Sequence, residues 1–240
     1  MNFERGTQCK KTALVTGASR GIGHAVAKLL LSEHYRVMGI SRTLPMNLPD
    51  LIPLSADLSD LEQLPQVADE VLNALGHIDV LVHNAGISCH GLFQEIPEKK
   101  LQKLYALNLA APIQLTRLLL PSMLQRHKGN IICISSIWGE TGASCEVDYS
   151  VTKGGLIAFV KGLAKEVGLS GIRVNAVSPG TICTDMTIPL GAETLKTLTD
   201  ETALGRLGTA MDVAQLVSFL ASDQSDYITG QNISINGGVI

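Results

Sequence analysis

The sequence predicts an α/β protein in which helices cover both faces of a doubly wound parallel sheet of about seven strands. Short apolar runs alternate with longer segments of helical periodicity along the whole chain. The runs are apolar throughout rather than at every second residue, which is typical of parallel strands buried on both faces. No repeat, low-complexity tract or linker divides the chain, so a single domain is expected to cover residues 1–240.

The first half of the chain predicts four strands and two helices. Strands at 12–16 and 35–41 flank a helix at 22–31 that is apolar around most of its girth. Segment 43–53 contains Pro45, Pro49 and Pro53 and is too short and too interrupted for a helix, so a strand at 52–56 follows without one. A helix at 60–75 and a strongly apolar strand at 78–83 complete this half.

The second half predicts three strands and three helices. A long helix at 101–125 is expected to bend at Pro112, because proline lacks the N–H of the helical ladder. Predicted strands at 130–135 and 172–177 enclose a helix at 149–167. After a turn-rich stretch at 179–207, a helix at 211–221 and a strand at 232–235 end the pattern.

Composition excludes several functional classes. The net charge is −3 and the charges form no blocks, so we expect neither a nucleic-acid surface nor a membrane surface. The five cysteines are widely spaced and odd in number, which indicates reduced thiols of a cytoplasmic protein rather than disulfides or zinc ligands. The six histidines are scattered and are interpreted as structural or surface residues. Residues 1–11 are charged and unlike a signal peptide, and no apolar stretch is long enough to span a bilayer.

Glycines follow the first predicted strand at a characteristic spacing. Gly17, Gly21 and Gly23 lie between that strand and the next helix, where a tight turn brings the backbone close to a ligand and the helix N-terminus favours a pyrophosphate. The alternative is an ordinary glycine turn, and the strand-turn-helix context favours the phosphate loop. Asn84-Ala85-Gly86, after the fourth strand, either lets a cofactor lie against the backbone or forms a plain turn.

A phenol and an ammonium are spaced for carbonyl chemistry. Tyr149 and Lys153 are four residues apart and share one helix face, and Ser136 follows the fifth strand. A nearby lysine cation lowers a phenol's pKa from about 10 toward the working range. Each residue also has a structural interpretation: Tyr149 as a core aromatic, Lys153 on a solvated face, and Ser136 as the cap of a turn.

Together these motifs resemble one enzyme family. In order and spacing, Gly17-x-x-x-Gly21-x-Gly23, Asn84-Ala85-Gly86, Asn108, Ser136, Tyr149-x-x-x-Lys153 and Pro179-Gly180 are similar to the short-chain dehydrogenase/reductase family over essentially the whole chain. Segment 179–186 and the ending Asn236-Gly237-Gly238 resemble its 3-oxoacyl-(acyl-carrier-protein) reductases, enzymes of fatty acid biosynthesis. The resemblance implies a Rossmann fold and NADPH-dependent reduction of a carrier-bound 3-oxoacyl thioester. Alternatives are another ketone, quinone or secondary alcohol as substrate, or a protein that senses NADPH or scaffolds partners without turnover.

The resemblance also implies catalytic roles. Tyr149 would give a proton to the carbonyl oxygen as hydride arrives, and Ser136 would hold that oxygen by a hydrogen bond. Lys153 would depress the tyrosine pKa and bind the nicotinamide ribose. Asn108 would position a water that relays protons toward Lys153; otherwise it is a satisfied polar group inside a helix.

Charge at the end of the second strand favours NADP(H). Ser41-Arg42 stands where an acidic residue typically marks an NAD site, and Arg20 and Arg42 offer forked donors for a 2′-phosphate, unless both are merely solvated. Asp57 would face the adenine by family resemblance, or else Asp57 and Asp60 simply begin the next helix. The expected cofactor site comprises Gly17, Ser19, Arg20, Gly21, Ile22, Gly23, Ser41, Arg42, Asp57, Leu58, Asn84, Ala85, Gly86, Tyr149, Lys153, Pro179, Gly180, Ile182 and Thr184.

Substrate contacts are expected from segment 181–207, where relatives close a lid. Its Thr184, Met186, Ile188 and Leu190 are candidates to line an acyl tunnel, and Trp138 to narrow the pocket. An acidic carrier protein needs basic residues near the pocket. Ser170 stands where relatives usually have an arginine, and residues 126–128 (Arg-His-Lys) are expected to retain part of that patch.

Two further expectations follow from the family. Members are commonly tetramers joined through two long helices, here 101–125 and 149–167, so a homotetramer is expected. His83 stands where the family commonly has a second asparagine. Candidate interface residues, for which core packing is an equal explanation, are Leu118, Leu119, Phe159 and Leu163.

Overall fold

A computed structural model describes residues 10–43, 47–184 and 191–240. Seven strands form one entirely parallel sheet in the order β3-β2-β1-β4-β5-β6-β9, and β7 pairs with β8 in a separate two-stranded sheet. This architecture confirms the predicted doubly wound parallel sheet. The strands are β1 Thr12–Thr16, β2 Arg36–Ser41, β3 Ile52–Ser55, β4 Val80–His83, β5 Gly129–Ile134, β6 Ile172–Pro179, β7 Ile182–Cys183, β8 Gly208–Thr209 and β9 Asn232–Ile235.

Helices cover both faces of the sheet. They are α1 Gly21–Ser32, α2 Leu64–Leu75, α3 Glu98–Tyr105, α4 Ala111–Arg126, α5 Trp138–Thr141, α6 Val147–Val167, α7 Ala192–Asp200 and α8 Ala210–Ala221. One buried cluster joins α2, α4 and α6 to the sheet, and a second joins α1 and α8 to its other face. In β1, Leu14 belongs to the first cluster and Val15 to the second, so the strand is buried on both faces. Within the described ranges no helix is long and apolar enough to cross a membrane.

The predicted helix at 101–125 contains a break. A π-helical turn, Ala106–Ala110, separates α3 from α4, and the N–H of Ala111 donates to the carbonyl of Ala106. Pro112 has no N–H to donate to the carbonyl of Asn108, so the normal ladder cannot continue there. The bend therefore lies in the turn before Pro112, and it places Asn108 within irregular helix.

Two other predictions concern irregular segments. As expected, the described part of segment 43–53 contains no helix. The stretch 179–207 was expected to be turn-rich throughout, but its described part also contains the nine-residue helix α7. The candidate tunnel residues Met186, Ile188 and Leu190 lie outside the described residues.

Hydrogen bonds join the turns that follow β1 and β4. The buried hydroxyl oxygen of Thr16 accepts from the backbone N–H groups of Asn84 at 2.9 Å and Ala85 at 3.0 Å. The Asn84 amide donates to the carbonyls of Thr16 at 3.0 Å and Gly17 at 3.2 Å. A Cβ on Gly17 would lie 2.8 Å from Nδ2 of Asn84, and its φ is +69°, so only glycine fits.

A buried carboxylate stabilises the amino ends of the central strands. Asp79 accepts the N–H of Thr12 at 2.8 Å, where β1 begins, and a guanidinium N–H of Arg126 at 2.9 Å. Segment 126–128 and Ser170 therefore lie at the amino ends of the strands. A strand of five or six residues separates them from the carboxyl ends by about 17–20 Å. The expectation of a basic patch beside the pocket of the same chain is wrong.

One of the candidate interface residues is a core residue, which is the other explanation that the sequence left open. Leu119 on α4 is fully buried in the core of this chain, so it has no surface to offer a second subunit. Leu118, Phe159 and Leu163 are partly buried and pack against the same core. Periodicity alone did not separate core residues from interface residues here.

Substituting Thr16 by valine tests the link between the turns. The side chain keeps its shape but leaves two partly buried N–H groups without their acceptor, so we expect the free energy of unfolding to fall by about 1–3 kcal/mol. Urea denaturation measures this, with Thr197→Val on exposed α7 as the matched control, expected within about 0.5 kcal/mol of wild type. A Thr16→Val change no larger than the control would contradict the assignment.

Candidate active site

The four predicted catalytic residues lie together at the carboxyl ends of the parallel strands. Lys153 on α6 is only 5% exposed and donates from Nζ to the carbonyl of Ile134, at the end of β5, at 2.8 Å. A Cβ on Gly86 would lie 3.5 Å from that Nζ and 3.3 Å from Oδ1 of Asn108. The turn after β4, the π-helical turn and α6 thus meet at the lysine.

The hydroxyls of Ser136 and Tyr149 form a pair. The Ser136 hydroxyl is close enough to Tyr149 to lower the phenol's pKa, and its oxygen accepts the N–H of Trp138 at 3.2 Å. Lys153 Nζ lies 5.7 Å from the centroid of the Tyr149 ring. Ser136 therefore does shape its turn, as the structural interpretation proposed, and its hydroxyl also faces the tyrosine.

Burial keeps the Tyr149 phenol protonated. It raises the pKa to about 12, the nearby Ser136 hydroxyl lowers it only in part, and the Glu146 carboxylate raises it further. The pKa is therefore displaced away from neutrality, which is opposite to the influence expected of Lys153. A protonated phenol is the form that can act as a proton donor.

The Lys153 ammonium is itself destabilised by burial. Loss of solvation lowers its pKa to about 8, and the nearby Cys133 opposes this only in part. The Ser135 hydroxyl donates to the backbone carbonyl of Lys153 at 2.9 Å and fixes this turn of α6. The charge on the lysine is therefore sensitive to pH in the mildly alkaline range.

Asn108 holds the turn after β4. Its side chain is fully buried, accepts the N–H of Ile87 at 2.9 Å, and donates to the carbonyl of Ile87 at 2.8 Å. A longer contact of 3.4 Å joins it to the hydroxyl of Thr152. These contacts match the interpretation of a satisfied polar group, and they position Gly86 beside Lys153. The water relay stays a prediction.

The glycine loop leaves no space for side chains. A Cβ on Gly23 would collide with the Gly17 carbonyl and the Asn84 amide, and Gly21 has a φ of +55°. A Cβ on Gly21 would lie 3.6 Å from the Thr184 side chain, so segment 181–184 borders the loop. Arg20 is exposed just before α1, whose start has no side-chain cap.

The ends of β2 and β3 lie together. Ser41 is buried and Arg42 is exposed. The Asp57 carboxylate accepts from the N–H and hydroxyl of Ser59 at 3.0 and 2.7 Å. Partial burial raises the pKa of Asp57, but the Ser59 bonds and the charges of Lys103 and Arg42 outweigh this and hold it below its usual value. Asp57 therefore begins the next turn, and Arg42 is near enough to influence it.

The remaining candidates lie at the same edge with backbone roles. The Pro179 carbonyl accepts the N–H of Ile137 at 3.1 Å, and the Gly180 N–H donates to Ile235 at 3.0 Å. Leu58 and Ile182 are buried in the two core clusters. Partly buried members of the glycine turn and first helical turn are Ser19 and Ile22.

Comparison with known proteins is consistent with this geometry. Residues 17–240 match a sequence family described as enoyl-(acyl carrier protein) reductase. The chain is 36% identical to the 3-oxoacyl-(acyl-carrier-protein) reductase FabG of Escherichia coli, over 100% of this chain and 99% of that protein. It belongs to the short-chain dehydrogenase/reductase family. The oxidoreductase YmfI of Bacillus subtilis is 40% identical over 95% of this chain and 98% of its own length.

A solved structure extends the likeness to the fold. Thermoplasma acidophilum aldohexose dehydrogenase, in ligand-free form, superposes with a TM-score of 0.90 at 26% identity, covering 96% of this chain and 94% of that one. The chain is thus an oxidoreductase of the short-chain family with a Rossmann-like fold. Members of this family use nicotinamide cofactors.

Trp138 contacts a second cavity, and its expected effect on the substrate pocket stays a prediction. It lines a shallow cavity of about 320 Å³ with Val147 and Val151 of α6. At 100° per residue, these valines lie on the face of α6 opposite Tyr149 and Lys153. The cavity is therefore separate from the short-chain family's catalytic face of that helix.

One residue near the catalytic face was not predicted from sequence. The sequence did not single out Glu146, which lies close enough to Tyr149 to raise the phenol's pKa. The only sequence signal was a carboxylate three residues before the tyrosine.

His83, which was interpreted as a structural or surface residue, is buried with Nε2 2.8 Å from the Thr116 hydroxyl oxygen, and burial lowers its pKa to about 3. Among the described residues no cluster of three or more metal-ligating side chains occurs.

The Lys153 pKa is directly measurable. In protein labelled with ¹³C-lysine, one ¹³Cε resonance should titrate near pH 8 because burial disfavours the cation. The same resonance should be missing from the Lys153→Met variant. A full set of lysine resonances titrating only above about pH 10 would mean that the ammonium is well solvated.

Proposed function

We propose that this protein reduces a ketone with NADPH, and that its substrate is a 3-oxoacyl thioester, which becomes the 3-hydroxyacyl thioester. The observation that carries the proposal is the cluster formed by the Ser136 hydroxyl and a protonated Tyr149 phenol beside the buried Lys153. Two hydroxyls and a cation converge where a carbonyl oxygen would need stabilisation and a proton.

The residues at the carboxyl edge fit a dinucleotide. Gly17 and Gly23 let the loop close tightly against the Asn84 turn, and the uncapped start of α1 presents backbone N–H groups to a pyrophosphate. Exposed Arg20 and Arg42 suit an additional 2′-phosphate, which is why NADPH is proposed rather than NADH. The predicted NADP(H) contacts follow from this fit.

The chain's own residues would carry the proton chemistry. When bound, the cofactor supplies hydride to the carbonyl carbon. Ser136 donates a hydrogen bond to the carbonyl oxygen, and Tyr149 transfers its proton to that oxygen, which completes the alcohol and leaves a phenolate. General-acid steps of this kind contribute about 10²–10⁴-fold to rates. Lys153, when protonated, stabilises that phenolate and binds the nicotinamide ribose.

The thioester assignment rests on relatives named as 3-oxoacyl-(acyl-carrier-protein) reductases and matched over nearly whole chains. A carrier-bound thioester is the proposed physiological form, in fatty acid biosynthesis. Segment 126–128 lies at the amino ends of the strands, far from the proposed pocket. We therefore assign recognition of the thioester within one chain to the pocket and not to these basic residues. A cytoplasmic homotetramer is proposed from the family resemblance alone.

A substrate panel with a tyrosine variant tests the reaction. NADPH absorbance is followed with acetoacetyl and longer 3-oxoacyl thioesters, an enoyl thioester, cyclic ketones and quinones. We expect turnover of the 3-oxoacyl thioesters, and we expect Tyr149→Phe to keep NADPH binding but less than about a tenth of the turnover. Tyr227→Phe, which removes a hydroxyl from a fully exposed ring, is the matched control and should keep full turnover.

Each outcome of the panel has a distinct meaning. Turnover of cyclic ketones or quinones alone rejects the thioester but keeps the ketone reductase, whereas turnover of the enoyl thioester alone rejects ketone reduction. NADPH binding with no turnover of any compound indicates a sensor or scaffold. An active Tyr149→Phe variant removes the proposed proton donor.

Cofactor choice is tested at the end of β2. We expect kcat/KM to favour NADPH over NADH by about tenfold or more, which is about 1.4 kcal/mol and within reach of one phosphate–arginine interaction. Arg42→Asp should reverse that order because a carboxylate repels the 2′-phosphate. Arg36→Asp, exposed at the other end of the same strand, should not. Equal kcat/KM values with NADPH and NADH in wild type would mean that Arg20 and Arg42 do not contribute to cofactor choice.

A further inference from the structure

A buried carboxylate lies directly before the proposed proton donor. Asp148 is in the first turn of α6, next to Tyr149, and is only 6% exposed. Its Oδ1 accepts the hydroxyl of Tyr105, the last residue of α3, at 2.8 Å. Its Oδ2 is buried and has no hydrogen-bond partner within the described part of the chain. The proton chemistry proposed above uses neither the Tyr105 nor the Asp148 side chain.

Stability alone does not explain this pair. A buried carboxylate loses its solvation, and a single neutral donor restores only part of what is lost. Replacing both partners of a buried hydrogen bond by apolar groups of the same shape is often neutral or stabilising. A hydrogen bond supplies direction, which an apolar contact does not, so the Tyr105–Asp148 bond fixes how α6 is rotated against α3.

The first turn of α6 depends on such an external contact. Before it, the Cys145 backbone has a φ of +61°, and the Glu146 side chain makes no cap hydrogen bond. A helix start without a side-chain cap leaves backbone N–H groups unsatisfied. The Ser150 hydroxyl oxygen accepts the N–H of Ala143 and donates to the Glu146 carbonyl, but these bonds stay within the same segment. Rotation of this turn would move the phenol of Tyr149.

A second contact lies beside the first. Tyr105 precedes Asn108 by three residues, and Asp148 precedes Thr152 by four, so each pair spans about one helical turn. The amide of Asn108 lies 3.4 Å from the hydroxyl oxygen of the fully buried Thr152. That hydroxyl in turn donates to the backbone carbonyl of Tyr149 at 2.7 Å. The two contacts together relate the proton donor to the helix that carries Asn108.

We propose that Tyr105 and Asp148 are positioning residues, whose hydrogen bond fixes the first turn of α6 and so holds the Tyr149 phenol toward the substrate's carbonyl oxygen. This inference rests on the proposed function. Neither side chain is assigned a contact with substrate. Displacement of a reacting group by about 1 Å can cost about 10²-fold in rate. The glycine loop after β1 lies outside α3 and α6, so loss of the bond should lower kcat more than it weakens NADPH binding.

A double variant separates positioning from stability. Tyr105→Phe combined with Asp148→Leu replaces the hydrogen bond by an apolar contact of similar shape. We expect its urea denaturation midpoint to be no lower than that of wild type. We also expect kcat for an acetoacetyl thioester to fall about tenfold or more, while KM for NADPH stays within about threefold. A purely structural pair would not lose turnover while keeping stability.

Three single variants make the result specific. Tyr105→Phe removes only the donor hydroxyl and should lower kcat at least about fivefold. Asp148→Asn keeps an acceptor oxygen for Tyr105 and should retain at least about a third of wild-type kcat. Tyr35→Phe is the matched control, because it removes a buried tyrosine hydroxyl that bonds to the Ala221 carbonyl on the other face of the sheet. It should keep wild-type kcat even if its urea midpoint falls.

NMR gives a measurement that does not depend on turnover. In protein labelled with ¹³Cζ-tyrosine, the Tyr149 resonance is assigned by its absence from Tyr149→Phe. In the double variant we expect this resonance to shift or broaden, because the phenol is no longer held in one orientation. In Tyr35→Phe it should stay at its wild-type position.

The outcomes distinguish this inference from the proposed function. Retained kcat in the double variant, or a lost kcat with an unchanged Tyr149 resonance, overturns the inference and leaves any observed ketone reduction intact. An equal loss of kcat in Tyr35→Phe also overturns it, since stability would then explain the effect. Lost kcat with a retained urea midpoint and an altered resonance supports it. If the resonance changes but wild type reduces no ketone with NADPH, the proposed function fails and the positioning of Tyr149 stands.

Discussion

A buried cation organises this site. The Lys153 ammonium is almost excluded from water, so it needs a protein acceptor, and the carbonyl at the end of β5 provides one at 2.8 Å. That bond requires α6 to pass close to the strand end. Close approach explains one glycine, because a Cβ on Gly139 would lie 2.8 Å from the Lys153 carbonyl carbon. The small residue at position 139 thus follows from where α6 lies.

Much of this arrangement could be predicted from sequence. Strands apolar on both faces predicted the parallel sheet, and in such a sheet the residues after each strand must meet at one edge, which is where Gly17, Asn84 and Ser136 lie. The π-helical turn could not be placed. Pro112 predicts an irregularity, but the sequence does not show the contacts of the Asn108 side chain within that turn, which bonds to Ile87 across 21 residues.

Two features, the position of segment 126–128 and the packing of Leu119, were not settled by sequence for different physical reasons. Segment 126–128 was assigned to the pocket because its charges suit a carrier protein, yet it directly precedes β5 and therefore had to lie at the amino edge, where Arg126 pairs with Asp79. The topology already contained that answer. The topology could not separate the two explanations for Leu119, core packing and a subunit interface. An apolar stripe on a helix looks the same in sequence whether it packs on its own sheet or on another subunit.

The protonation of Tyr149 bears on the direction of the proposed reaction. Reduction begins with the phenol protonated, whereas oxidation of an alcohol begins with the phenolate. Burial and the nearby Glu146 carboxylate raise the pKa of this phenol, which favours its protonated form at neutral pH. The surroundings of the pair are thus set for giving a proton to a carbonyl oxygen rather than for taking one from an alcohol.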